Sequence, residues 1–267
     1  TRFYLKKTKK LYKGDAMGES LHYHSFIPFL DNHAFTIVLM MMLDYAIVIF
    51  ILWLGSLKRD LRPKGAQNLV EWFIKYVTDY ADSVIGKQAP RYYPILLMLF
   101  MYILVGNLMG LIPGLISPTS MLTVTVTLAV SVFIMEWFEG IRAKGIIKYL
   151  AHYTGGDTVP GPLKPFLFFV ELMSDISRPV SLSFRLFGNI MAKEILLGVL
   201  IVLVILFWPT VNSNAISAMM AGFSLVLRPL IIVLGVLVSV IQAAVFTLLT
   251  AIYISGAVAS HEHSEEH

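Results

Sequence analysis

FLFFVELMSDISRPVSLSFRLFGNIMAKEILLGVLIVLVILF, residues 166–207, is an apolar segment of about forty residues, and a second of similar length covers 212–259. About 20 helical residues suffice to cross the ~30 Å hydrocarbon core of a bilayer. Forty residues at 1.5 Å each make a helix of roughly 60 Å. Each segment therefore either crosses steeply tilted or breaks into pieces, with Pro179 and the Arg228-Pro229 pair as candidate kinks. Near the middle of the first segment stands Arg185, with no acidic residue within five positions on either side. Its guanidinium keeps its charge under physiological conditions. Near the bilayer centre that charge costs at least ~2.5–3.5 kcal/mol. A charge kept at such a cost raises the question of what passes it.

The rest of the chain has the same character. Hydrophobic residues make up 57% and charged residues 14%, against about 25% charged in soluble domains. The composition predicts an all-α polytopic membrane protein. The first span is 34–56 and contains Asp44. A basic segment, 58–64, follows. Residues 65–86 place Val70, Phe73, Val77 and Tyr80 on one helical face and Glu71, Lys75 and Asp79 on another, which predicts an amphipathic helix lying at the interface. Residues 92–138 read as a hairpin of two spans, 92–112 and 120–138, joined by the uncharged turn after Pro113-Gly114. A basic loop with Arg142, Lys144 and Lys148 and a Gly/Pro-rich connector lead into the tilted hairpin 166–259. Residues 1–33 form an extramembrane arm, and 34–267 a single membrane domain. The first thirty residues lack the apolar core of a signal peptide, and Thr1 in place of Met is expected of a processed or incomplete start.

Loop charge sets the orientation. The basic segments 58–64 and 142–164 read as cytoplasmic, and the uncharged turns 113–119 and 207–214 as external. This gives an external N-terminus and a cytoplasmic C-terminus. The basic residues between Arg2 and Lys13 point the other way but lie about twenty residues before the first span, where the rule weakens. Clusters of this kind in a membrane protein mark loops and interfaces, not nucleic-acid sites.

On a helix, positions 3, 4, 7, 11 and 14 apart share a face. Glu171, Ser174, Arg178, Ser181 and Asn189 all fall on the side of Arg185, forming a polar stripe. Glu171 is ~21 Å from Arg185 along the axis, too far to neutralise it. Glu194 is turned to the opposite face, ~13 Å beyond Arg185 in the other direction, with Lys193 beside it. Ionisable residues on different faces and at different depths can line two separate aqueous paths. An arginine between them is a fixed positive barrier to a hydrated proton. It also favours the ionised form of a carboxylate moving past it. Taken singly, Ser174, Ser181, Gly188 and Gly198 read as helix-packing positions.

Residues 178–189, RPVSLSFRLFGN, followed by Ala192 and Glu194, resemble the hallmark of subunit a of bacterial F-type ATP synthases. Residues 241–253, IQAAVFTLLTAIY, resemble that family's final helix, and Asn107-Leu108-Met109 with Pro113 its earlier NLM…P motif. The resemblance covers most of 34–267. It implies a proton-translocating stator subunit with two offset half-channels that load and unload carboxylates of a rotating c-ring, held apart by Arg185. Glu194, Asn189, Gln242 and Asn107, with Lys193 and Ser239, would line or border the external half-channel; Glu171, Ser174 and Asp175 the cytoplasmic one. Arg178, Ser181, Gly188 and Gly235 would support them. The c-ring would contact 166–259, peripheral-stalk b subunits and lipids would complete the surroundings, and a bacterial inner membrane is the expected location. No cofactor or metal is implied.

The sequence also departs from many relatives, which carry Gly at the place of Lys193, His at that of Gly235 and, in some, Asp at that of Gly110. Gly235, Ser239 and Gln242 share a face. A small residue at 235 leaves room for a long one at 193, and Lys193 is expected either to tune proton capture or to snorkel to water. A secondary transporter using Asp44, Glu171, Asp175 and Arg185 as a substrate site is the alternative, but the inverted repeats common in transporters are absent. The seven histidines avoid the span cores, which argues against a haem-binding anchor. Cysteine chemistry is excluded because there is no Cys. No P-loop is present, so nucleotide chemistry would belong to partners and the isolated chain is not expected to be an enzyme. The tail 260–267 reads as solvated.

Overall fold

The structure, a computed structural model, describes residues 33–56, 65–112, 114–146, 161–210 and 214–258. The N-terminal arm, the basic segment 58–64, most of the 147–160 connector and the C-terminal tail, on which several expectations fall, lie outside them. The chain forms two compact units. Of the first, Thr1–Thr36, only the opening turn of one helix is described; the second, Ile37–His267, holds everything else.

Six α-helices are described: α1 His33–Ser56, α2 Ala66–Ile85, α3 Tyr93–Met109, α4 Leu122–Lys144, α5 Lys164–Phe207 and α6 Ala215–Val258. Short 3-10 turns stand at Gly86–Arg91, Pro118–Ser120, Gly161–Leu163 and Trp208–Thr210. The stretches Phe35–Gly55, Leu122–Ala143, Lys164–Phe207 and Ala215–Val258 are long and apolar enough to cross a membrane. These helices expose large apolar side chains such as Phe50, Trp53, Ile134, Val202 and Val226, a surface that water would not tolerate and lipid accepts.

Local sequence explains each element. In α1 only one stripe is buried within the protein, Met40, Asp44 and Val48, each four residues from the last. Helix α2 is amphipathic as expected: Val70, Val77 and Ala81 are buried while Glu71, Lys75 and Asp79 are exposed. Its Phe73 ring packs against Phe100 of α3 at 5.4 Å between centroids. The chain enters and leaves α2 through Gly65 and Gly86, at φ 64° and 72°, a region that glycine adopts without steric cost. It then turns by 118° into α3, where Pro94 occupies the first turn, a position that needs no N–H donor. Helix α3 is buried almost all round from Leu99 to Asn107 and serves as the centre of the fold.

Helices α5 and α6 have 44 residues each, ~66 Å at 1.5 Å per residue. Neither breaks: Pro179 and Pro229 lie inside continuous helix. Of the two expectations, the unbroken helix is therefore the one observed. The two pack on each other, α4 packs on both, and α3 lies against α6. The buried positions of α5 run Asp175, Leu182, Leu186, Ile190, Lys193, Leu197 and Leu200, a single stripe at helical period. The opposite side of α5 has no cover among the described residues.

Candidate functional site

Arg185 stands on that uncovered side, exposed, without an ion pair or hydrogen bond among the described residues. Its neighbours along the face are small: Ser174, Ser177, Ser181, Gly188 and Ala192 are all exposed. Nothing lies within 4 Å of the point a Cβ on Gly188 would take. Among the described residues, then, Ser174, Ser181 and Gly188 are not covered by another helix.

On the C-terminal side of Arg185 a buried polar cluster joins α3, α5, α6 and the loop after α3. Asn189 Nδ2 donates to Gln242 Oε1 at 3.0 Å. One turn along α6, Ser239 Oγ donates to the Gly235 carbonyl at 2.7 Å and lies 3.5 Å from Lys193 Nζ. Lys193 Nζ donates to the Asn107 carbonyl at 2.9 Å. Asn107 Oδ1 accepts from Thr119 Oγ1 at 2.7 Å, Thr119 touches Ser117 Oγ at 2.7 Å, and Ser117 Oγ reaches the Gly106 carbonyl at 2.7 Å. The Glu194 carboxylate lies beside Ser117 and Ser120. Its Oε1, Gln242 Nε2 and Asn107 Nδ2 are buried with no hydrogen-bond partner among the described residues, so the cluster has unused donors and acceptors in a low-dielectric place. Two glycines make the room. A Cβ on Gly110 would stand 2.9 Å from Glu194 Oε1, and one on Gly235 3.1 Å from Lys193 Cδ.

On the N-terminal side a second cluster forms. Arg178 Nη1 meets Glu136 Oε1 of α4 at 2.9 Å and Asp175 Oδ1 at 3.1 Å. Its guanidinium also lies 5.2 Å from the centroid of the Tyr253 ring, a cation–π distance. Both carboxylates are buried. Further along α4, Glu139 takes hydrogen bonds from Arg91 Nη2 at 2.8 Å and the Tyr92 hydroxyl at 3.0 Å, which ties α4 to the turn before α3.

The structure gathers Asn107, Asn189, Lys193, Glu194, Ser239, Gln242 and Gly235 into one cluster, and Asp175 with Arg178 into another. Glu171 is half-buried and makes no ion pair among the described residues. The four residues of the transporter alternative do not converge. Asp44 meets Gly106, Asp175 pairs with Arg178, and Arg185 faces outward. Sequence reasoning missed Ser117, Thr119, Ser120, Glu136 and Tyr253. The hydroxyls sit in what reads as a plain uncharged turn, and only their density in Ser117-Pro118-Thr119-Ser120 was available as a signal.

Residues 38–255 match the family model described as ATP synthase A chain. Similar proteins include the ATP synthase subunit a of Campylobacter curvus, 36% identical over 234 residues, 87% of this chain and 94% of the relative. That of Campylobacter fetus is 35% identical over 240 residues, 89% and 95%. That of Helicobacter pylori strain P12 is 35% identical over 238 residues, 88% and 94%.

Proposed function

The chain belongs to the ATP synthase A chain family, and from that membership we propose that it is the stator subunit that conducts protons through the membrane sector of the complex. Two offset aqueous half-channels load and unload carboxylates on a rotating c-ring, and Arg185 keeps them apart. The observation that carries this reading is Arg185 itself, exposed and unpaired on an open face and flanked by a buried polar cluster on each side. The cluster of Glu194, Lys193, Asn189, Gln242, Ser239 and Asn107 forms the external path. Glu171, Ser174 and Asp175 belong to the cytoplasmic path, with Arg178 holding its buried acids.

The chemistry follows from charge. A protonated ring carboxylate is at home in lipid; an ionised one is not. Opposite Arg185 the ionised form is favoured, so a ring carboxylate arrives there by giving its proton to one path and leaves by taking one from the other. A proton cannot move straight between the paths, because the guanidinium repels it and cannot itself deprotonate. Each proton that crosses must therefore ride the ring. The ring packs against the uncovered faces of α5 and α6, peripheral-stalk b subunits hold the chain still, and nucleotide chemistry belongs to other subunits. The proposed location is a bacterial inner membrane, with the His33 end of α1 outside and the Val258 end of α6 in the cytoplasm. In the assembled complex, Arg185→Ala is expected to abolish ATP-driven proton pumping with normal assembly. Pumping at the wild-type rate in that variant would refute the reading.

A further inference from the structure

Asp44 lies outside everything assigned above. It stands near the middle of α1, is 0% exposed, and neither carboxylate oxygen has a hydrogen-bond partner among the described residues. An acid in that state is expensive to keep in a membrane helix, and here no salt bridge or hydrogen bond offsets the cost. Its surroundings show a use. Oδ2 lies 2.9 Å from the point a Cβ on Gly106 would take, and Thr119 Cγ2 lies 3.5 Å from the same point. One turn along α3, a Cβ on Gly110 would stand 2.9 Å from both Ser117 Cβ and Glu194 Oε1. Two glycines four residues apart thus admit two acids from different helices, Asp44 at the first and Glu194 at the second. Thr119 lies against the first place through its methyl and Ser117 against the second through its Cβ, and their hydroxyls meet each other.

That pair has a telling hydrogen-bond balance. Three contacts of 2.7 Å run from the Gly106 carbonyl to Ser117 Oγ, on to Thr119 Oγ1, and on to Asn107 Oδ1. Two hydroxyl protons must serve three contacts. The two hydroxyls can serve both ends and leave the middle contact without a proton, or Thr119 donates to Ser117 and Ser117 to Gly106, or Ser117 donates to Thr119 and Thr119 to Asn107. The last two arrangements give the pair opposite polarity, as a proton relay requires.

We propose that Asp44 is a second acid of the external proton path, exchanging protons with Glu194 through the Thr119–Ser117 hydroxyl pair; this rests on the half-channel reading above. The Asp44 carboxyl gives its proton to Thr119 Oγ1 through one intervening water, Thr119 passes its own proton to Ser117, and the Ser117 hydroxyl turns from the Gly106 carbonyl to the Glu194 carboxylate beside it and passes its own proton there. One proton leaves Asp44, one arrives at Glu194, and both hydroxyls end neutral with their polarity reversed. Rotation of the two hydroxyls resets the chain.

The test uses the whole complex in inverted membrane vesicles. Asp44→Asn keeps the shape and removes the acid. It is expected to lower ATP-driven pumping, and passive proton conductance after removal of the soluble sector, by at least about tenfold, with normal assembly. A structural role would be met by Asn, so wild-type rates overturn the proposal. Asp44→Ala with Gly106→Asp returns a carboxylate from α3 into the space vacated, where Thr119 Cγ2 at 3.5 Å is an ordinary contact. This double variant is expected to recover most of the conductance, and an assembled but inactive double variant also overturns the proposal. Should Asp44→Asn fail to assemble, Thr119→Val decides the matter: it leaves Asp44 in place, and undiminished conductance rules the relay out. Loss in Arg185→Ala but not in Asp44→Asn sinks only the Asp44 step. Normal pumping in Arg185→Ala sinks the half-channel reading itself.

Discussion

Replacing Gly235 with alanine tests how Lys193 is held. The added methyl would stand 2.6 Å from Leu111 Cδ2 and 3.1 Å from Lys193 Cδ, against the 3.5–4.0 Å that carbon atoms prefer. Leu111 is half-exposed, and the atom in conflict is the end of its side chain, so it swings aside at small cost. Lys193 has less freedom, because its Cδ lies between an anchored Cα and an ammonium bonded to the Asn107 carbonyl at 2.9 Å. Overpacking of this kind costs ~1–3 kcal/mol, and a hydrogen bond from a charged group contributes ~1.5–3 kcal/mol. The two do not add, since giving up the bond relieves the crowding; the expected penalty is about 1.5–3 kcal/mol. At 1.4 kcal/mol per decade that predicts roughly a tenfold to hundredfold loss in the population that holds Lys193 on Asn107, and initial pumping should fall with that population. The assay is a double-mutant cycle in inverted vesicles with Gly235→Ala, Lys193→Gly and both together. The double variant should behave like Lys193→Gly alone, because the methyl then fills space the lysine has left. An equal loss from Gly235→Ala in both backgrounds would refute the reasoning. Lys193→Gly should also shift the pH profile of pumping, and an unchanged profile would end the idea that Lys193 tunes proton capture.

Two further substitutions separate the chain's own fold from its proposed partner. In Gly188→Leu the new Cβ meets nothing within 4 Å among the described residues and the change removes a helix-weakening glycine, so the chain should accumulate normally while the complex loses pumping; normal pumping would remove Gly188 from the ring-facing surface. Glu136→Gln breaks the 2.9 Å ion pair but leaves Arg178 with Asp175 and the Tyr253 ring. The expected destabilisation is about 1–3 kcal/mol, below the 3–5 kcal/mol typical of a buried charge left with no partner, read as a lower thermal midpoint of the detergent-purified complex.

Much of this architecture is legible along the chain because it is periodic. Length and hydropathy reveal α1, α5 and α6. The alternation in α2 separates Val70 and Val77 from Glu71 and Lys75, and the 3.6-residue repeat puts Ser181, Arg185 and Asn189 on one side of α5. Periodicity gives the face of a helix but not what lies opposite. Arg178 meets Glu136 across 42 positions, and Lys193 meets the Asn107 carbonyl across 86. No local pattern encodes either meeting. The hydroxyl loop was opaque for another reason: Ser117 and Thr119 read as part of an uncharged turn and Ser120 as the start of a span, yet all are buried. Pro179 and Pro229 misled in the other direction, since each read as a possible break and both lie within continuous helix.

The low relief of the Arg185 face bears on mechanical smoothness. Apart from the arginine, the row Ser174, Ser177, Ser181, Gly188 and Ala192 projects no more than one heavy atom beyond Cβ. A leucine knob lodged in a hole must withdraw three or four carbon groups at ~0.8 kcal/mol each before a sliding helix can advance. Along this row the corresponding ripple is under about 1 kcal/mol per step, close to thermal energy. A rotor turning against such a row would meet little friction from its shape, and the largest electrical feature beside it would be Arg185.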